Sequence, residues 1–575
     1  MTEATIRYGI RGTVEATLWS TFLQRLRRYG FVLAAYIITT LVTTANWQGD
    51  TVDYVESIAL FNRGVNHYMW DFAHLFWRPL GWLLSVVFAP ITSLFVGNDD
   101  RLNVMLTLMC VNWIAGAFCV ILIHSIVHRA TGERTWIANV VAVAFIYTQT
   151  FLNWAQTGSA YVPGFALLLL GFHILITPND GPERQDWRLA MYAGSALAGA
   201  ICLWVPYLLT APAALFAPLF LFGFSRNRMR FAFQTAIACA FLTGAAYLTV
   251  IVGLKLHTVD QVRAWISSSA HGVDYSGAAR VVFGFARSFI NMVNEGLLFK
   301  RYLISDPFNP VSLHDLLGAT LLKLVIFYVF LATIVFNLFR SQHRTRILPL
   351  FILNSVPVML LAYSFGGSEP ERYLPLYPAL FIAISVALRG PSRIARAIIL
   401  AFISVMIVSN SALMARPVLY RKQEAAVSRV RDLLPRLNGR TMVFVATYQD
   451  ELITFSRTYP FDPINRSGRF HIDALISPGT SWNLRWREDF ASRSLSTWSG
   501  SGEVWISKRV LSAHPRAEWN WAEGADRRVS WSDLYRLFSR LELTDDVGGP
   551  DGFVRLSHSS GNERILGALC AKGRA

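Results

Sequence analysis

Residues 189–224 read LAMYAGSALAGAICLWVPYLLTAPAALFAPLFLFGF, 36 consecutive positions without an ionisable side chain other than Tyr192, Cys202 and Tyr207. As one helix the stretch would be roughly 54 Å long, whereas a bilayer core is about 30 Å thick. It therefore reads as two spans with a hairpin at Val205-Pro206-Tyr207, where proline interrupts the helix ladder. Similar apolar runs lie at 29–47, 103–127, 136–153, 162–177, 231–253, 316–338, 347–364, 374–388 and 397–414. With 189–205 and 207–224 they predict about eleven spans. Composition agrees: 53% of the 575 residues are hydrophobic and 16% charged, with a mean hydropathy of +0.37. Soluble domains carry about 25% charge, so a cytosolic enzyme and a disordered chain are both excluded.

Charge placement orients the chain. Arg7, Arg11, Arg25, Arg27 and Arg28 precede the first run, and Asn46-Trp47-Gln48-Gly49-Asp50 follows it instead of a small-residue cleavage site. That predicts an uncleaved first helix and a cytoplasmic segment 1–28. The run 79–97 is also apolar enough to cross. If it does not cross, Arg129/Arg134, Arg226/Arg228/Arg230, Arg340/Arg344/Arg346 and Arg389/Arg393/Arg396 all share the side of the N-terminus. If it crosses, all four groups fall outside, against the positive-inside rule. The reading is thus one long external loop, 48–102, whose apolar part lies in or dips into the interface. The loop 178–188 is uninformative. The net charge of +16 is then explained by cytoplasmic loops, with no nucleic-acid partner.

The expected fold class is an α-helical polytopic membrane protein with a C-terminal soluble α/β domain. The transmembrane part is 29–414, with external loops 48–102 and 254–315, the second amphipathic around Val281–Arg287. In the tail, 415–575, the apolar runs stop. Tyr420–Leu437 has helical spacing and Thr441–Ala446 reads as a buried strand. The tail carries a net charge of about +6, suited to anionic lipid headgroups. The five cysteines are scattered without a CxxC pair, so neither a disulfide framework nor a zinc site is indicated. There are no repeats or low-complexity tracts.

Three constellations could carry chemistry. Gly49-Asp50-Thr51-Val52-Asp53-Tyr54-Val55-Glu56 places three carboxylates just after the first span. On a helix Asp53 shares a face with Glu56, and Asp50 with Asp53. Such groups can deprotonate a hydroxyl or hold a divalent cation; a solvated acidic helix cap is the plain alternative. His74-Leu75-Phe76-Trp77-Arg78-Pro79-Leu80-Gly81-Trp82 joins a cation and a donor to two aromatics, which could equally be interface anchors. Glu369-Pro370-Glu371-Arg372-Tyr373-Leu374-Pro375-Leu376-Tyr377-Pro378 puts an arginine suited to phosphate at a helix mouth; an ordinary turn with a Glu–Arg pair would look the same. The arginine-based orientation sets all three on one external face.

In this order the motifs resemble the polytopic glycosyltransferases of the GT-C superfamily. These include protein O-mannosyltransferases, aminoarabinose transferases of lipid A and the catalytic subunit of oligosaccharyltransferase. The matching features are an acidic residue after the first span, Arg78-Pro79-Leu80-Gly81-Trp82 later in that loop, the basic turn His128-Arg129-Ala130-Thr131-Gly132-Glu133-Arg134, and Arg372-Tyr373-Leu374-Pro375-Leu376-Tyr377-Pro378-Ala379 before a late span. The resemblance covers residues 25–415. One departure is the loop Asn153-Trp154-Ala155-Gln156-Thr157-Gly158-Ser159-Ala160-Tyr161, which lacks the carboxylate many members carry there. That weakens the case for a tightly bound metal, and a cofactor such as Mg or Mn stays open.

The resemblance implies an inverting transferase in the plasma (inner) membrane. It takes a sugar from a polyprenyl-phosphate donor and passes it to an extracytoplasmic hydroxyl of a glycan, lipid or protein. Asp50 is the expected base. Arg372 and then Arg78 are the expected phosphate contacts, with Arg280, Arg287, Lys300 and Arg301 in reserve. Asp53, Glu56, His74, Glu371 and Tyr373 complete the expected substrate contacts. The leaving phosphate stays anionic and needs cations, with no general acid. The rivals are a lipid-linked sugar flippase and a glycan polymerase or ligase of another polytopic fold. A flippase needs ionisable groups along its interior, which these spans largely lack; a polymerase or ligase would rely on 254–315. Weaker candidates read as structural: His257, Asp260, His271 and Asp274 fit no metal spacing, and His124/His128 look like a polar helix end. The tail tryptophans, Trp482, Trp486, Trp498, Trp505, Trp519, Trp521 and Trp531, suit core packing more than sugar stacking.

Overall fold

A computed structural model describes residues 28–62, 64, 69–132, 135–177, 187–269, 277–292, 302, 311–447, 450–458, 464, 470–476, 486–512, 518–520 and 528–572. The chain divides into two compact units. The first comprises Met1–Ala45, Asp53–Asn291 and Ile326–Leu413; the second comprises Asn46–Val52, Met292–Val325 and Met414–Ala575.

The protein is a multi-pass membrane protein. Among the described residues, eight helices are long and apolar enough to cross a bilayer, and four shorter apolar helices accompany them. All but Trp77–Val96 overlie the eleven expected runs. The stretch at 189–224 breaks where expected: helix Trp187–Leu203 ends, Trp204 is extended (φ −157°), and the chain resumes as Val205–Leu209 and Ala211–Phe222. Small residues let spans approach closely. A Cβ on Gly194 would lie 2.6 Å from that of Ala238, which seats helix Trp187–Leu203 against Arg226–Gly253.

Three expectations are refined. The first helix stops at Val42, short of 47: Thr43 N still donates to Thr39 O at 3.0 Å, and the chain then leaves the ladder ahead of the turn at Gly49-Asp50. The run at 136–153 is two helices, Thr135–Ile146 and Gln149–Trp154, parted at Tyr147-Thr148. The run 79–97 is a continuous helix, Trp77–Val96, so the chain does not double back within it. Its Leu94 and Phe95 are 81% and 77% exposed, and Gly97 (φ +69°) turns it into Asp100–Thr131, capped by Asp99.

The tail is α/β, as expected. Strands β1 (Thr441–Thr447), β2 (Phe470–Ile476), β3 (Val504–Ser507), β6 (Leu543–Val547) and β7 (Phe553–Leu556) form one sheet in the order β2-β1-β3-β7-β6. The first three are parallel and β7 and β6 antiparallel. β4 (Glu518–Asn520) and β5 (Arg528–Ser530) make a separate ribbon. Alternation along β1 sends Val443 and Val445 to one layer, with Ala426 and Leu452, and Phe444 and Ala446 to the other, with Phe490 and Leu566. Both faces are therefore covered, as a parallel sheet requires. Trp486, Trp498 and Trp505 are buried in these layers. Trp482 and Trp521 lie outside the described residues, as do the side chains of Trp519 and Trp531.

Candidate active site

The first unit brings the sequence's two phosphate candidates to one aromatic wall. His74 packs edge-on against Tyr54 (5.4 Å between centroids) and Tyr161 (5.9 Å). Tyr161 meets Trp204 at 4.9 Å. The Arg78 guanidinium lies 5.5 Å from the Tyr54 ring, and that of Arg372 lies 5.8 Å from Trp204 and 4.6 Å from Phe365. Arg78 thus stands at one end of the chain of rings, His74 and Tyr161 in the middle, and Arg372 at the other end. Each arginine side chain is 15% exposed.

The break at Trp204 builds this wall. Its flanking backbone leaves the helix and pairs with the loop before Arg78: Phe76 N donates to Cys202 O at 3.1 Å, and Val205 N to Ala73 O at 3.1 Å. Trp77 Nε1 donates to Gly158 O at 2.9 Å, and Asn112 to Ser159 O at 2.9 Å, which brings in the loop 153–161 that lacks a carboxylate. On the other side, the turn Pro370–Leu376 is pinned by Thr150 to Pro370 O, and by Thr210 and Asn354 to Pro375 O.

Asp71 is the group that sequence reasoning missed. Its carboxylate lies 3.1 Å from His74 Nδ1 and 3.6 Å from an Arg78 nitrogen, and it accepts from Ala73 N and from the Ser269 hydroxyl. Ser269 caps the C-terminal end of helix Val259–Ser268, whose Trp265 also donates to Trp70 O at 2.9 Å. Burial by itself raises the Asp71 carboxyl. The His74 hydrogen bond, the Arg78 charge, the Ser269 hydroxyl and, once the imidazole is protonated, the His74 charge oppose it and hold the group below the usual carboxylate range. With Asp71 on Nδ1, His74 Nε2 is buried and has no hydrogen-bond partner among the described residues. The spacing Asp71, His74, Arg78 was the available signal: three residues, then four, as on one helical face.

The remaining candidates separate. Asp50 is half-buried in the turn after Gly49 (φ +54°), and Asp53 is exposed in the first turn of helix Thr51–Asn62. Glu56 pairs with Arg101 at 3.0 Å, so it is engaged with the next span's start. Glu371 is buried and adds negative charge beside Arg372, whose Nε donates to Glu369 at 3.1 Å. The terminal nitrogens of Arg372 make no hydrogen bond among the described residues. Tyr373 is fully buried; its hydroxyl donates to Gly367 O (2.7 Å) and Val281 O (3.1 Å), so it fastens the turn. Arg280 and Arg287 lie on helix Gly277–Phe289; Lys300, Arg301, His271 and Asp274 lie outside the described residues. Asp260 forms an exposed pair with Arg263. Among the described residues no three or more His, Cys, Asp or Glu side chains converge so as to hold a metal ion.

The fold is similar to that of several solved membrane enzymes. ArnT from Cupriavidus metallidurans, bound to undecaprenyl phosphate, is 12% identical over 89% of this chain and 98% of its own, with a TM-score of 0.45. The oligosaccharyltransferase of Archaeoglobus fulgidus is 10% identical over 85% of this chain and 70% of its own, also at 0.45. The Pmt1-Pmt2 O-mannosyltransferase complex of S. cerevisiae, bound to its sugar donor, is 18% identical over 46% of this chain and 37% of its own, at 0.29. No family model and no curated protein matches the chain.

Proposed function

We propose that the protein is a membrane glycosyltransferase that moves a sugar from a polyprenyl-phosphate donor to an extracytoplasmic hydroxyl with inversion. The observation that carries the reading is the wall His74–Tyr161–Trp204 with a nearly buried arginine at each end. Two preorganised cations at the lip of a bundle suit a phosphate that gains charge as the sugar leaves, and such groups contribute a few kcal/mol at a developing anion. In this reading Arg372 and Arg78 hold the phosphate while the prenyl chain stays in lipid. Asp50 takes the acceptor's proton as the hydroxyl attacks the anomeric carbon. Asp53 orients the acceptor. The phosphate leaves as an anion, and the new glycosidic bond has inverted configuration.

The N-terminus is cytoplasmic in this scheme, and the tail and both long loops are external. The test is transfer of labelled sugar by purified full-length protein supplied with a panel of polyprenyl-phosphate sugars and membrane-derived acceptors. Donor-dependent product with inverted configuration is expected. Absence of product with every donor, alongside intact folding, overturns the assignment.

A further inference from the structure

We propose that donor binding takes up one proton, on His74 Nε2, and that Asp71 is the positioning residue that makes this possible. The proposal rests on the reading that a polyprenyl phosphodiester binds at Arg78 and Arg372.

Three observations meet at one ring. His74 Nδ1 faces the Asp71 carboxylate at 3.1 Å. Its Nε2 is buried without a hydrogen-bond partner among the described residues. Arg78, one helical turn along the chain, shares both the Asp71 carboxylate and the Tyr54 ring with it. A buried polar atom left unpaired is costly, so Nε2 is set for a partner that arrives later. With Nδ1–H directed to Asp71, a neutral His74 presents a bare lone pair. A phosphodiester oxygen is itself only an acceptor. A direct hydrogen bond between the two needs a proton, taken from solvent, which places an imidazolium between two anions. Asp71 stays ionised throughout and compensates that charge, as carboxylates do for ligand-binding histidines.

The neighbours leave His74 as the group that changes charge. Those facing it are Tyr54 from helix Thr51–Asn62, Asp71 from the preceding loop, Arg78 from helix Trp77–Val96 and Tyr161 from helix Tyr161–Leu175. Arginine stays charged and a tyrosine hydroxyl stays neutral over the interval in which imidazole titrates, and Asp71 is kept ionised by the Arg78 charge and by its hydrogen bonds with Ser269 and His74. Ser269 anchors the far carboxylate oxygen, so Asp71 cannot swing away to meet Arg78 alone.

The experiment is calorimetric binding of farnesyl methyl phosphate, a diester of constant charge, to the purified full chain from about pH 5.5 to about pH 8, the interval in which imidazole changes charge. Wild-type affinity should fall by up to about tenfold per pH unit toward the alkaline end. Heats in two buffers of different ionisation enthalpy should report about one proton taken up on the alkaline side, a measurement that needs no variant. His74→Gln should bind with pH-independent affinity. Asp71→Asn should bind more weakly and take up a smaller fraction of a proton near neutrality. Binding that Arg372→Ala abolishes but that takes up no proton overturns this inference and leaves the transferase reading standing. Uptake unchanged in His74→Gln also overturns it. Failure of the wild type both to bind the diester and to transfer sugar removes the transferase reading, and this inference with it.

Discussion

Gly284→Ala should cripple the protein although it adds one methyl group far from any proposed reacting atom. The new Cβ would sit 1.8 Å from the Gly367 carbonyl oxygen, 2.9 Å from its carbon and 3.0 Å from the Tyr373 hydroxyl. Ordinary carbon–oxygen contact begins at about 3.3 Å, so helix Gly277–Phe289 and the Gly366-Gly367 turn must part by roughly 1.5 Å. No flexible side chain can absorb this, because the obstacle is backbone. Gly367 O already accepts from Tyr373, which also binds Val281 O on the same helix. Parting the two breaks one of these bonds. Gly366, at φ +61°, lies directly beneath the Glu369–Arg372 pair, so the displacement reaches the proposed phosphate contact. Overpacking costs about 1–3 kcal/mol, and a misplacement of about 1 Å at a reacting centre costs about 100-fold in rate. The assay is paired: thermal midpoint in detergent and sugar transfer at saturating donor. Gly244→Ala, where a Cβ meets nothing within 4 Å, is the control. Wild-type stability and rate in Gly284→Ala would refute the coupling of this helix to Arg372.

Asp50→Asn should lose about 10²–10⁴-fold in transfer rate, the usual contribution of a general base, while Asp53→Asn loses less and mainly raises KM; comparison at equal protein amounts decides, and a near-normal Asp50→Asn removes Asp50 as the base. Arg372→Ala should lose most activity with Arg372→Lys intermediate, and a wild-type rate in Arg372→Ala beside an inactive Arg78→Ala would reverse their ranking. Asp450, 3% exposed and bound by Arg429 at 2.6 Å and Arg509 at 3.7 Å, should on change to Ala destabilise the tail by about 3–5 kcal/mol, read as faster cleavage of the tail in the full chain by limited proteolysis. Cysteines introduced near Asp71, Ser276 and Ser501 should react with an impermeant thiol reagent in intact cells, and those near Arg228, Arg344 and Arg393 only after lysis; labelling of the latter set from outside would invert the orientation.

The spans were legible because burial in lipid demands long apolar runs, and length alone separates them. Their internal breaks were not. Helix Thr135–Ile146 ends where Tyr147 O accepts from Asn410, 263 residues away at 2.6 Å, and the same amide donates to Phe289 O. No local pattern at Tyr147 encodes that partner. The site divides in the same way. His74, Arg78 and Arg372 stood out as polar groups beside apolar runs. Asp71 did not, because its meaning depends on Ser269, 198 positions on. The acidic cluster read as one unit on helical spacing, yet Arg101 draws Glu56 to the start of the next span.

Why each proposed phosphate contact keeps a carboxylate beside it follows from burial. A guanidinium only 15% exposed is costly without a counter-charge. A bidentate carboxylate would solve that and also occupy both prongs of the fork. Arg372 is not held that way among the described residues. Glu369 takes only Nε of Arg372, and Asp71 stands 3.6 Å from Arg78 while also serving His74. Rings lie beside both cations: Phe365 and Trp204 by Arg372, at 4.6 and 5.8 Å, and Tyr54 by Arg78, at 5.5 Å. Aromatic faces orient a guanidinium without occupying its hydrogen-bond donors. Incomplete ion pairing and aromatic support therefore work together. The Arg372 cation is neutralised enough to tolerate its surroundings, rigid enough to meet a phosphate in one orientation, and makes no hydrogen bond from its terminal nitrogens among the described residues. Lysine has no planar face to lay on those rings, which is why Arg372→Lys should retain charge and still lose rate.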